Sequence, residues 1–124
     1  MYNLEFDEQT RVLFQRASGF WILEKFRRYH VEFTALLRRV RSDGRPIKML
    51  FDSRDMPPQS AEVVNAFSKM TSADGMNADG RVAILVSGML SKLQAQRISD
   101  NRLVKSFNDK AEARAWLAEP ILSC

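Results

Sequence analysis

Apolar and polar residues alternate over residues 2–6 (YNLEF), and apolar residues crowd together again in RVLFQRA over residues 11–17, with the turn-like DEQT just before the second run. A period of two marks a strand with one buried face, so the pattern predicts an opening β-hairpin. Gly19 breaks it, and the period changes. Ile22, Phe26, Tyr29, Phe33, Leu36, Leu37 and Val40 recur at three-and-four spacing. That is one face of a helix about five turns long. Ser42-Asp43-Gly44 stops the helix, with glycine suited to the left-handed position after a helix end and Pro46 just beyond.

Residues 47–51 (IKMLF) are apolar apart from Lys48, as a strand covered on both faces should be. Pro57 and Pro58 forbid its continuation as a central strand. A helix is predicted over 61–71 with Val63, Val64, Phe67 and Met70 on one side, followed by the polar loop TSADGMNADG over 71–80. RVAILVSG, 81–88, reads as a buried strand ended by Ser87-Gly88. A helix over 89–98 should turn Met89, Leu90, Leu93 and Ile98 inward, and RLVKSF, 102–107, reads as the last strand. Asp109-Lys110-Ala111-Glu112 has the form of a capping box, with Asp109 accepting from the Glu112 amide. The helix it opens carries Ala113, Ala115, Trp116 and Leu117 before Pro120 ends it. The order is β-β-α-β-α-β-α-β-α. Strands linked by single helices are joined by right-handed crossovers, so the expected fold class is α/β: one domain over 1–124, its sheet mixed but mostly parallel, with helices packed on it.

Composition adds bounds. A chain of 124 residues, 45% of them hydrophobic, is enough for one core. No run approaches the roughly 20 apolar residues of a membrane-spanning helix, and MYNLEFDEQTR lacks the apolar centre of a leader, so a cytoplasmic protein with no integral membrane segment is expected. Cys124 is the only cysteine, which leaves no disulfide or cysteine metal pair. The net charge of +4, from 19 basic and 15 acidic residues, is too mild to imply nucleic acid as a partner. Its excess is concentrated in Lys25, Arg27, Arg28, Arg38, Arg39, Arg41 and Arg45, which read as a solvated helix face or, alternatively, as a contact for an anionic partner protein, membrane surface or nucleic acid.

The element order, the hairpin start, the strand RVAILV and above all VKSFNDKAEARAWL over 104–117 resemble the SpoIIAA-like family, small bacterial proteins of the wider STAS and CRAL-TRIO-like fold. The resemblance spans nearly the whole chain. It implies a SpoIIAA-like (STAS-like) fold and a non-enzymatic regulatory or protein-interaction role like that of anti-sigma factor antagonists. The CRAL-TRIO-like side of the superfamily implies an alternative, a small carrier of an apolar, lipid-like ligand. In the antagonists, a serine at the start of the helix after the central strand is phosphorylated by a partner kinase. Here the serine best placed is Ser60, in Pro57-Pro58-Gln59-Ser60-Ala61.

Read from chemistry alone, Ser60 is a preferred helix N-cap, and a helix amino terminus also suits a phosphate. Asp52, Ser53, Arg54 and Asp55 sit at the carboxyl end of the expected parallel strand, the edge where open α/β sheets place their crevices. Their residue types suit a turn, and with Ser60 they form the expected partner surface. Asp74, Asn77 and Asp79 in the 71–80 loop extend that surface. They do not make a calcium loop, whose first and twelfth positions would be Gly75 and Val86. His30, the sole histidine, reads as packing or surface. Phe20, Trp21 and Ile22 read as packing where hairpin meets helix, or as lining for a pocket or a dimer contact. Met70, Met76 and Met89 around the loop could serve as adaptable apolar lining. Glycine-rich phosphate loops and the nucleophile elbow are missing, so no enzyme, catalytic residue, metal or cofactor is expected. The expected partner is a protein, a second copy of the chain being one candidate.

Overall fold

The hairpin forms as its alternation requires: β1 (Tyr2–Asp7) runs antiparallel to β2 (Val12–Ser18), with Tyr2, Leu4 and Phe6 packed toward the main core. The computed structural model describes residues 2–44, 47–73, 81–88, 93 and 104–119, with side chains for all of these except 70–73. Arg11 closes the hairpin with φ 60, its amide donating to the Asp7 carbonyl at 2.8 Å. A non-glycine residue in that region is strained. The Arg11 side chain offsets the cost by reaching the end of α1 (Leu23–Val40). Its guanidinium donates to the Val40 carbonyl at 3.2 Å, pairs with Asp43 at 3.0 Å and lies over the Phe6 ring. A cation on the last carbonyls of a helix suits the dipole there.

The helical stripe is as expected at Phe26, Tyr29, Phe33, Leu37 and Val40, all buried. Ile22 departs from it. It is the residue before the helix, extended and 58% exposed, because the chain is still leaving the hairpin there.

β3 (Lys48–Asp55), α2 (Ala61–Ala73), β4 (Val82–Leu85), β5 (Val104–Phe107) and α3 (Lys110–Ala118) complete the described elements. The sheet order is β1-β2-β3-β4-β5, with every pair after the hairpin parallel. Alternation then divides the core. Met49, Val82, Ile84, Val86 and Val104 face α1 and α2, while Leu50, Ala83 and Leu85 face Ala113 and Leu117 of α3. Burial on both faces explains the unbroken apolar run of β4.

Three expectations are corrected. β3 does not end near Phe51 but runs through Asp55, because β2 is long enough to pair with it as far as Ser18↔Asp55. Asp52 to Asp55 are therefore strand residues and not a turn. Asp109 caps α3 by accepting from the Ala111 amide at 3.1 Å, one residue earlier than a capping box demands. Leu93, expected inward, is 51% exposed. The rest of the expected helix over 89–98, the 74–80 loop with Asp74, Asn77 and Asp79, and the side chains of Met70, Met76 and Met89 lie outside the described residues.

Candidate functional site

The extended end of β3 gathers four of the residues singled out from sequence. Between Arg16↔Asp52 and Ser18↔Asp55 the register slips by one, β3 carrying the extra residue. Such a bulge re-aims a side chain, and here Asp55 reaches Arg16 at 3.0 Å. Asp52 is held by Arg54 in a fork, at 2.9 Å from Nε and 2.8 Å from the terminal nitrogen. The Arg54 hydrogen bonds keep the Asp52 carboxyl below its ordinary range, against the opposing effect of partial burial. Each aspartate thus has its own guanidinium. The two do not converge as an acid/base pair.

The serines here are fasteners. Ser53 donates to the Leu85 carbonyl at 2.6 Å, and Ser87 donates to the Arg54 carbonyl at 2.7 Å. These hydroxyls tie the overhang of β3 to the end of the shorter β4, beyond their last paired residues Asp52↔Leu85.

Ser60 sits apart from that cluster, as the N-cap of α2. Its Oγ accepts from the Val63 amide at 3.4 Å, and its carbonyl accepts from the Val64 amide at 3.0 Å. Its position is fixed by a neighbour that sequence reasoning passed over. Gln59 accepts from the Trp21 amide through Oε1 at 2.8 Å and donates through Nε2 to the carbonyls of Gly19 at 3.1 Å and Pro57 at 2.6 Å. One side-chain amide thereby sews the α2 entry to the junction between β2 and α1. Gly19 permits the sharp turn with φ 85, and its amide donates to the Asp55 carbonyl at 3.2 Å.

The Phe20-Trp21-Ile22 cluster is split by this arrangement. Trp21 is fully buried, its indole N–H donating to the Ser18 carbonyl at 3.0 Å. Phe20 and Ile22 on either side are 60% and 58% exposed, beside the start of α2.

The interior next to this corner is filled. Rings of Tyr2, Trp21, Phe26, Tyr29, Phe33, Phe51 and Phe67 lie between α1, α2 and the sheet with centroids 4.8 to 6.3 Å apart. His30 stacks on Phe26. Tyr29 donates to buried Gln15, whose Nε2 has no partner in the described structure.

A parallel four-strand run with an antiparallel hairpin strand at its edge, helices α1 and α2 on one face and α3 on the other, defines the class as a one-sheet α/β protein. Among solved structures the chain is similar to an uncharacterised protein of the DUF3478 family with a SpoIIAA-like fold from Shewanella loihica PV-4. The two share 24% identity over 94% of this chain and 92% of that one, with a TM-score of 0.65. The fold is SpoIIAA-like, as the ending VKSFNDKAEARAWL implied. No model of a known protein family matches the chain, and no curated protein matches it. Among the described residues no helix is long and apolar enough to cross a membrane, and no three His, Cys, Asp or Glu side chains group as metal ligands.

Proposed function

We propose that the protein is a non-enzymatic interaction module, resembling anti-sigma factor antagonists, that docks a protein partner at the corner where α2 begins. The observation that carries this reading is the exposed pair Phe20 and Ile22, fixed beside Ser60 by the Gln59 amide. Apolar anchors on a pre-set backbone lose little entropy on binding, which is what makes such residues effective at interfaces. Ser60 is the natural control point. A phosphate on its oxygen would sit on the free amides of the α2 amino end, stable for the helix and repulsive to an apolar partner surface. The carboxylates of Asp52 and Asp55, each matched to an arginine, serve as a polar rim.

The test compares immobilised wild type with Phe20→Ser/Ile22→Ser, Ser60→Asp and Ser60→Ala in capture from the native cell extract, read by mass spectrometry. Wild type and Ser60→Ala should retain the same specific protein, and the other two should lose it. Equal recovery on all four proteins refutes the reading.

A further inference from the structure

The face of the sheet opposite α1 and α2 is only partly covered by the described residues. There α3 packs on β3, β4 and β5 and covers Val12 and Leu50, while Asn3 and Glu5 of β1 and Arg16 of β2 are exposed beside it. Two hollows lie along this strip and meet at Phe14. The first, about 530 Å³, has Val12, Phe14 and Leu117 as apolar lining, with Lys48 and Arg114 at its rim. The second, about 260 Å³, is polar, bounded by Glu5, Arg16, Asp52, Arg54 and Lys110.

Their charges are unequal in a directed way. Asp52 is taken by Arg54, Asp55 by Arg16, Asp7 accepts the Gln9 amide and Asp109 accepts the Ala111 amide. That leaves Lys48, Lys110 and Arg114 with no ion-pair partner among the described residues, and Arg114 rests over the Phe14 ring at 5.8 Å. Lys110 and Arg114 are four residues apart on α3, so they line one side of it. Against them stands the carboxylate of Glu5.

We infer that this groove binds a short acidic segment of a partner protein, with one large apolar side chain seated over Val12, Phe14 and Leu117. Acidic residues flanking the anchor meet Lys48, Arg114 and Lys110, and the polar hollow supplies donors and acceptors for its main chain. A uniformly anionic strand such as nucleic acid would meet Glu5 unfavourably, and a bare acyl chain would leave the polar hollow unused. The size fits. The nine residues of α3 span about 13 Å, the length of roughly four extended residues. The surface lies on the other face of the sheet from the ring cluster under α1 and α2, and it shares with the Phe20 corner only the rim around Asp52 and its arginine.

The test is titration of the isotopically labelled full chain with hexapeptides carrying one Leu, Phe or Trp among Asp and Glu, followed by amide chemical shifts. A matched set with Lys in place of the acids is the control. Acidic peptides should shift Val12, Phe14, Lys48 and Arg114, and Lys48→Glu/Arg114→Glu should weaken binding by about tenfold or more, whereas Phe20→Ser/Ile22→Ser should leave it unchanged. Three outcomes overturn the inference: no acidic peptide shifts these amides, the lysine set binds equally, or phosphatidylglycerol vesicles shift them while peptides do not.

Discussion

Replacing Gln59 with leucine keeps most of its bulk and removes its hydrogen bonds to Trp21, Gly19 and Pro57, which isolates what the side-chain amide does. The Gly19 and Pro57 carbonyls are accessible enough to turn to water, so their loss is small. The Trp21 amide is different. It lies in a part-buried position, next to a fully buried indole, with Gln59 as its acceptor. A donor left unsatisfied in such a place costs about 1–3 kcal/mol, and we take ~2 kcal/mol. For a domain of this size each kcal/mol moves Tm by about 4 °C, so Gln59→Leu should melt about 8 °C below wild type. Circular dichroism gives the melt, and hydrogen exchange of the Trp21 amide locates the effect. Faster exchange there, with core strand amides reduced only in line with global stability, is expected. A Tm within about 2 °C of wild type together with unaltered Trp21 protection would refute the reasoning.

Two pH effects follow. Burial pushes the Tyr29 hydroxyl far above the ordinary tyrosine value. The fold therefore holds the neutral form, and this contribution is complete below about pH 10 and lost as pH rises further, by up to ~1.4 kcal/mol per unit. Urea melts at pH 9, 10 and 11 should fall less steeply for Tyr29→Phe than for wild type; parallel slopes count against the assignment. Asp52 has the opposite sign. Its carboxyl is depressed by Arg54, so its stabilisation is present above the ordinary carboxylate value of about 3.9 and is lost as pH falls through the lower folded value. Asp52→Asn should show a shallower acid limb below about pH 4 in a pH-dependent urea series, and an acid limb identical to wild type excludes the role given to the fork.

Much of the architecture was legible because one signal, the period of apolar residues, was strong. The stripe from Phe26 to Val40 and the run VAIL in β4 each have a single reading, and the topology follows once they are placed. The end of β3 was misread because Asp, Ser and Arg carry turn propensity. Their strand is imposed from outside, by β2 pairing as far as Ser18 and by the hydroxyls of Ser53 and Ser87. Ser60 was legible as a cap by residue type. Gln59 was invisible, since nothing local distinguishes a glutamine that bonds 38 and 40 residues away from one in solvent. The same holds for Arg11 on Val40 and for Arg81, whose guanidinium donates to the Trp116 carbonyl at 2.6 Å at the end of α3. These long-range caps are written in the partner's geometry, not in their own neighbourhood.

The sheet order repeats the order of the chain from β1 to β5. Each strand pairs with the one synthesised just before it, and no late strand has to wedge between two earlier ones. The growing edge is always the most recent strand, so a chain emerging amino end first can extend its sheet in one direction. Only the hairpin edge and the newest strand are ever left open during that growth.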